Sequence, residues 1–390
     1  MTMAGQRIFE ELSEDIQMLI DANVTLHKHF TSPTDNGWAQ WSDYRKWINF
    51  NIGSIQTVTE LAGGDRYRDC YIILRSVLEA YLLIKLSMLA RIQYFDLLPI
   101  KDPNTGKEKP GDLLLRAQGI AAKEPRFFSL KPMHEKNKPG RYWVRMLHTI
   151  SPVGNTQEYV PVIYFFFKDY DPDGHYLSHL ISKNSWAGSK WDVKKHREKQ
   201  QSISKVYLKL EQILLSFQIN KFATPRQTDA ILAHYNFLSK FTHAAPVSYD
   251  EVNSRYDIGH LNEVQGVFKF ERYNKMLCLL YALNLSLYFL ELQLDYFTKE
   301  PDLLLERQHQ AKLNALRKRI KQKYSFFWFI YNKPHEFDHF TNKLKRQKLA
   351  PKKTPNIPYY VNPLKRLRDM TGGWSNPILG QYVPPKIMTE

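Results

Sequence analysis

Asp69-Cys-Tyr-Ile-Ile-Leu-Arg-Ser-Val-Leu-Glu-Ala-Tyr-Leu-Leu-Ile-Lys-Leu-Ser-Met-Leu-Ala-Arg91 carries only Arg75, Glu79 and Lys85 as charges between its two ends. A helix that is apolar on nearly every side has to be covered on every side. The stretch therefore predicts a helix at the centre of a bundle, from Arg66 to about Phe95. Arg75 and Glu79 stand four apart, on one face, where they can pair. Inside a bundle such a pair has to be hydrogen-bonded, or it costs several kcal/mol.

The flanking sequence supplies the cover. Ile8, Leu12, Ile16, Leu19 and Ile20 recur at helical spacing, as do Trp41, Tyr44, Ile48, Ile52, Ile55 and Val58, before Gly63-Gly64 breaks the chain. Further helices are expected over 190–219, 261–298 and 301–323. Thr224-Pro225-Arg226-Gln227 joins an N-cap, a first-turn proline and a capping-box glutamine, so another helix should start there and run to about His243. Residues 99–188 have a different texture. Pro and Gly recur, runs rich in β-formers appear at Tyr142–Ile150 and Tyr159–Phe167, and Asp171-Pro172-Asp173-Gly174 offers a turn. Beyond Lys348 prolines dominate, which predicts an extended tail. The expected fold is mainly α: a helical bundle with a small inserted α+β element and a basic, proline-rich C-terminal extension. Its parts are residues 1–98, the insertion 99–188, residues 189–300, and a basic helix and tail over 301–390.

Composition narrows the class. Aromatic residues make up 14% of the 390, enough to bury a large core. The two cysteines, Cys70 and Cys278, lie far apart in the sequence and give neither a disulfide framework nor a zinc ligand set, which suits a reducing compartment. Glu10, Glu11, Glu14 and Asp15 interrupt the N-terminus, so no secretory signal is read there. The longest uncharged apolar run, Met276–Leu290, falls short of the roughly 20 residues of a membrane span. A cytoplasmic protein without a membrane span is expected, and no cofactor motif is present.

The charge is unevenly placed. Net charge is +16, and residues 309–368 hold sixteen Lys/Arg against only Glu336 and Asp338. Concentrated positive charge attracts phosphate polymers. Arg317, Lys318, Arg319 and Lys321, then Lys343, Lys345, Arg346 and Lys348, are the candidate nucleic-acid-binding residues. Between them Tyr324-Ser-Phe-Phe-Trp-Phe-Ile-Tyr331 is expected to pack on the body, since so many aromatics in a row are seldom left exposed.

Two motifs invite chemistry. His335-Glu336-Phe337-Asp338-His339 matches His-Glu-x-x-His, whose imidazoles one helical turn apart hold zinc beside a glutamate base. Asp338 puts a charge inside it, and no histidine follows it in the sequence. A zinc hydrolase on His335, Glu336 and His339 is thus the weaker reading, and no metal ligand set is assigned. His175 and His179, near Asp169, Asp171 and Asp173, read as a surface polar turn.

Arg75-Ser-Val-Leu-Glu-Ala-Tyr81 followed by Tyr235-x-x-Leu-Ser-x-x-x-His243 resembles a group of bacterial helical proteins related in style to the HEPN (higher eukaryote and prokaryote nucleotide-binding) superfamily. The likeness covers about 90 residues of helix. It implies a dimeric helical bundle and metal-independent cleavage of RNA by an Arg-x4–6-His motif, in a bacterial defence or stress system. His243 would be the histidine. Asn236, Phe237 and Leu238 stand where the arginine belongs, so Arg75 would supply the cation from the neighbouring helix, with Glu79 beside it. The expectation is a nucleic-acid-associated protein, directed to RNA rather than DNA. A binding or scaffold module without catalysis is the alternative.

Overall fold

The computed structural model describes residues 3–31, 35–89, 91–101, 108–117, 129–133, 141–150, 157–161, 209–242, 271–299, 304–327, 329–332, 338–339 and 362–371. Three long helices come first: α1 (Met3–Thr25), α2 (Asp35–Gly63) and α3 (Tyr67–Leu89). The predicted apolar positions are the ones packed inward: Leu12, Ile16, Leu19 and Ile20 on α1, and Tyr44, Ile48, Ile52, Ile55 and Val58 on α2 are buried. The break between α2 and α3 takes a positive φ at Asp65, a residue type that tolerates this geometry, and the Tyr67 hydroxyl donates to its carboxylate.

Two further helices are α4 (Leu210–Ile219) and α5 (Pro225–Thr242). The capping box forms as expected: the Gln227 amide N–H donates to the Thr224 hydroxyl, and Gln227 Oε1 accepts from the Thr224 backbone N–H. Helix α6 (Glu271–Lys299) packs against α1, α2 and α3, with its whole stretch Met276–Leu290 buried. Its polar side chains are used internally. Asn23 of α1 donates to the Ser286 carbonyl and accepts from Gln293, which pins α1 to α6. By length and composition Tyr273–Phe297 could cross a membrane, so the apolar helix is longer than the sequence run suggested. Nearly all of it is covered by the other helices.

The insertion begins earlier than expected. Helix α3 stops at Leu89, and Arg91–Lys101 is strand β2, not the last turns of a helix reaching Phe95. Two short strands form a sheet of their own: β1 (Phe30–Thr31) pairs antiparallel with β7 (Leu304–Leu305). The larger sheet has five antiparallel strands: β2, β3 (Glu108–Ala117), β4 (Ser129–Met133), β5 (Arg141–Ile150) and β6 (Gln157–Pro161). Strand β5 is central, with β2 on one edge and β4 and β6 end to end along the other. The β2–β3 register shifts between Leu98 and Ile100, where Pro99 has no N–H to give the ladder. The sheet meets the helices through α4: Ser216 donates to the Thr149 hydroxyl and Asn220 to the His148 carbonyl.

Helix α7 (Arg307–Lys323) buries only Leu313 and Ile320. After it Tyr324, Phe326, Phe327, Phe329 and Ile330 are buried against Tyr281 and Tyr288 of α6 and His234 of α5, so the aromatic run is part of the core. Pro363–Thr371 is a helix, α8, not extended chain: proline suits a first helical turn, and Leu364, Leu367 and Met370 bury one face beside α6.

Candidate functional site

Helices α3 and α5 lie side by side, and the polar residues of their shared groove converge on one guanidinium. Arg75 donates through Nε to the Ser239 hydroxyl at 3.0 Å and through Nη2 to the Tyr235 hydroxyl at 2.7 Å. Tyr235 in turn donates to Glu79 Oε1 at 2.7 Å, and Arg75 Nη2 lies 3.1 Å from the same oxygen. The guanidinium carbon sits 5.0 Å from the Tyr235 ring centroid. Arg75, Tyr235 and Glu79 thus close a ring of charge-assisted bonds across two helices, and Ser239 joins it through Arg75 alone.

The ring is not sealed. The Arg75 and Glu79 side chains are 24% and 35% exposed, so water screens the pair and its own contribution to stability is small, about 1 kcal/mol or less. The expectation of a pair inside an apolar bundle is corrected here: the pair lies partly exposed where α3 meets α5. Among the described residues, Arg75 Nη1 and Glu79 Oε2 have no hydrogen-bond partner. Burial pushes the Tyr235 phenol up, and its bond to Glu79 pushes further, against the opposing pull of Arg75. The hydroxyl therefore stays protonated and bridges the two charges.

His243, the expected third member, lies outside the described residues, one position past Thr242. Tyr235 packs against the core and turns its hydroxyl to Arg75 and Glu79. Its spacing of four from Ser239 was the signal in the sequence that both address the same neighbouring helix.

The basic residues divide in two. On α7, Arg319 and Lys323 bind Asp15 of α1 at 2.9 and 2.8 Å, and Lys323 also reaches Glu11 at 3.2 Å. Tyr324 donates to the same buried Asp15. Burial alone would lower the Lys323 pKa, but its bonds to Asp15 and Glu11 outweigh that and raise it. Arg317 and Lys321 both face Glu291 of α6. Lys318 is exposed. Three of the four α7 candidates are thus already engaged by carboxylates of the body. Lys343, Lys345, Arg346 and Lys348 lie outside the described residues.

Of the His-Glu-x-x-His motif, His335 and Glu336 lie outside the described residues. Asp338 is fully buried and gripped by Arg366 of α8 through two bonds, 2.6 and 2.7 Å, while His339 is exposed. The charge that sat oddly in a zinc motif has a structural use. Among the described residues no group of three or more His, Cys, Asp or Glu could hold a metal ion. His175, His179, Asp169, Asp171 and Asp173 also lie outside them. Set against known protein families, characterised proteins and solved structures, the chain matches none of them.

Proposed function

We propose that the chain is a nucleic-acid-associated protein directed to RNA, with a HEPN-like helical core whose α3/α5 groove receives the RNA backbone. One observation carries the reading: Arg75 and Glu79, paired at 3.1 Å and 24% and 35% exposed in the groove, each keep one terminal atom, Nη1 and Oε2, without a partner among the described residues. A guanidinium edge pairs with a phosphate oxygen. A carboxylate oxygen beside it accepts from a 2′-hydroxyl, the group that separates RNA from DNA. On this reading Glu79 takes the 2′-hydroxyl proton as that oxygen attacks the neighbouring phosphorus. Arg75 holds the phosphate oxygens, and His243 returns a proton to the departing 5′-oxygen. Such cleavage is metal-independent. The resemblance behind the reading also suggests a cytoplasmic homodimer acting in bacterial defence or stress.

A scaffold module without catalysis is favoured by a different observation: Arg75, Tyr235, Glu79 and Ser239 bond to one another across two helices, as a structural tie does. Single-stranded RNA and DNA of one sequence separate the readings. RNA should bind more tightly, with affinity falling as salt rises, and Glu79→Gln should erase the preference. Cleavage should persist in EDTA and vanish in His243→Ala. Arg75→Ala should weaken RNA binding while costing only about 1 kcal/mol of stability. Equal affinity for RNA and DNA, unmoved by Arg75→Ala, removes the groove from the function.

A further inference from the structure

The chain has two cysteines, 208 positions apart, and both are fully buried, one on α3 and one on α6. The register of these two helices brings them together. Helices α3 and α6 run parallel: the Tyr71 hydroxyl donates to Asn274 at 2.9 Å, and further along Tyr81 packs edge-on to Phe289 with ring centroids 5.5 Å apart. Eleven residues make about three helical turns. Stepping back by that amount from Tyr81 and from Phe289 arrives at Cys70 and Cys278. Steps this close to whole turns return both side chains to the seam between the helices. The thiols are shut away from water: burial pushes the Cys278 thiol up, and Cys70 pushes it further. Cys70 Sγ also lies 3.5 Å from the Val58 carbonyl, which turns it towards the interior of the bundle.

We propose that Cys70 and Cys278 are a redox-active dithiol that closes to a disulfide between α3 and α6 when a small disulfide, RSSR, is the oxidant. One thiol loses its proton and attacks RSSR, releasing one RSH and leaving a mixed disulfide. The second thiolate then attacks the protein sulfur of that bond and releases the second RSH. Two cysteine thiols are oxidised by two electrons, and RSSR is reduced to two thiols. The low thiolate character of a buried thiol, and its lack of access, make the step slow in the folded chain. It should be fast while α3 and α6 are still packing. The bond would staple the helix that carries Arg75 and Glu79 five residues before Arg75, and it closes a long loop, where a cross-link restricts the unfolded chain most.

The test uses the full chain. The protein is unfolded in denaturant, refolded in buffered oxidised and reduced glutathione, alkylated and digested without reduction. The expected result is one linked peptide pair joining Cys70 and Cys278, loss of both thiols together, a monomer on non-reducing gels, and a Tm raised by several degrees that returns on reduction. Native protein exposed to the same buffer should reach the same product far more slowly. Refolded Cys278→Ala should instead hold Cys70 as the free thiol or as a glutathione adduct. The idea is overturned by separate glutathione caps on the two cysteines, by a disulfide-linked dimer, or by two free thiols after refolding in that buffer. None of these readouts depends on RNA, so they stand or fall apart from the groove.

Discussion

A single side chain changes meaning with its neighbours, and His309 shows this as clearly as Arg75. His309 of α7 stacks on His29, with ring centroids 3.5 Å apart and planes 15° from parallel, and His309 Nε2 is buried without a hydrogen-bond partner. Burial lowers its pKa below 6.5, and His29 lowers it further; Glu306 pulls the other way, while Lys312 adds a small push in the lowering direction. A histidine that binds its proton less tightly when folded is protonated first in the unfolded chain. Its contribution is therefore whole above about pH 6.5 and is lost as pH falls through that value towards the lower folded pKa. Urea unfolding between pH 5 and 7.5 should show stability rising with pH, and His309→Gln should flatten that slope. An unchanged slope in the variant would clear His309 of the effect. Neither the ring stack nor the Arg75–Tyr235 bond could be seen in the sequence, because each joins residues from separate elements with no common spacing.

At the level of elements, α8 is held by a charge it cannot afford to lose. Arg366 and Asp338 are both buried, and Arg366 also donates to the Phe326 carbonyl, so one guanidinium joins α8, the motif around residue 338 and the aromatic run. Arg366→Met takes both guanidinium bonds from a carboxylate held away from water, and the expected loss is about 3–5 kcal/mol. Adding Asp338→Leu removes that buried charge and should recover at least half of the loss. Denaturant midpoints with unchanged m-values measure both. A single-variant loss under about 1 kcal/mol would mean that the pair is not buried as described. Prolines on either side of α8 concealed it: proline density argues for extended chain, but Pro363 opens a helix and Leu364, Leu367 and Met370 give it an apolar face.

Across the whole molecule, positive charge and its use are different things. Of the cations in residues 309–368, Arg317, Arg319, Lys321, Lys323 and Arg366 have carboxylate partners among the described residues. A cation already paired releases few counterions when a phosphate approaches, so α7 should contribute little to nucleic-acid affinity. Replacing Lys343, Lys345, Arg346 and Lys348 together by glutamine should lower the slope of log affinity against log salt by up to about 3 for single-stranded RNA of any sequence. Replacing Arg317, Arg319 and Lys321 should leave the slope within about 1 and lower the Tm, since Glu291 loses both of its cations and Asp15 loses Arg319 while keeping Lys323 and Tyr324. The reverse pattern would show that α7 is the phosphate track.

The helical class, the buried faces of α1, α2, α3 and α6, the capping box at Thr224 and the packing of the aromatic run were all determined by the sequence by itself. Each rests on spacing within one element, and a period of 3.6 residues is written locally. The start of β2 at Arg91 escaped because a short apolar run satisfies helix and strand alike until its partner strands are known. Tertiary structure alone decided that Asp15 meets Arg319 across 304 positions, that Tyr235 faces Arg75, and that the register of α3 against α6 sets Cys70 level with Cys278. A long-range partner is chosen by which faces pack together and in what register, and no spacing within a single helix encodes that choice.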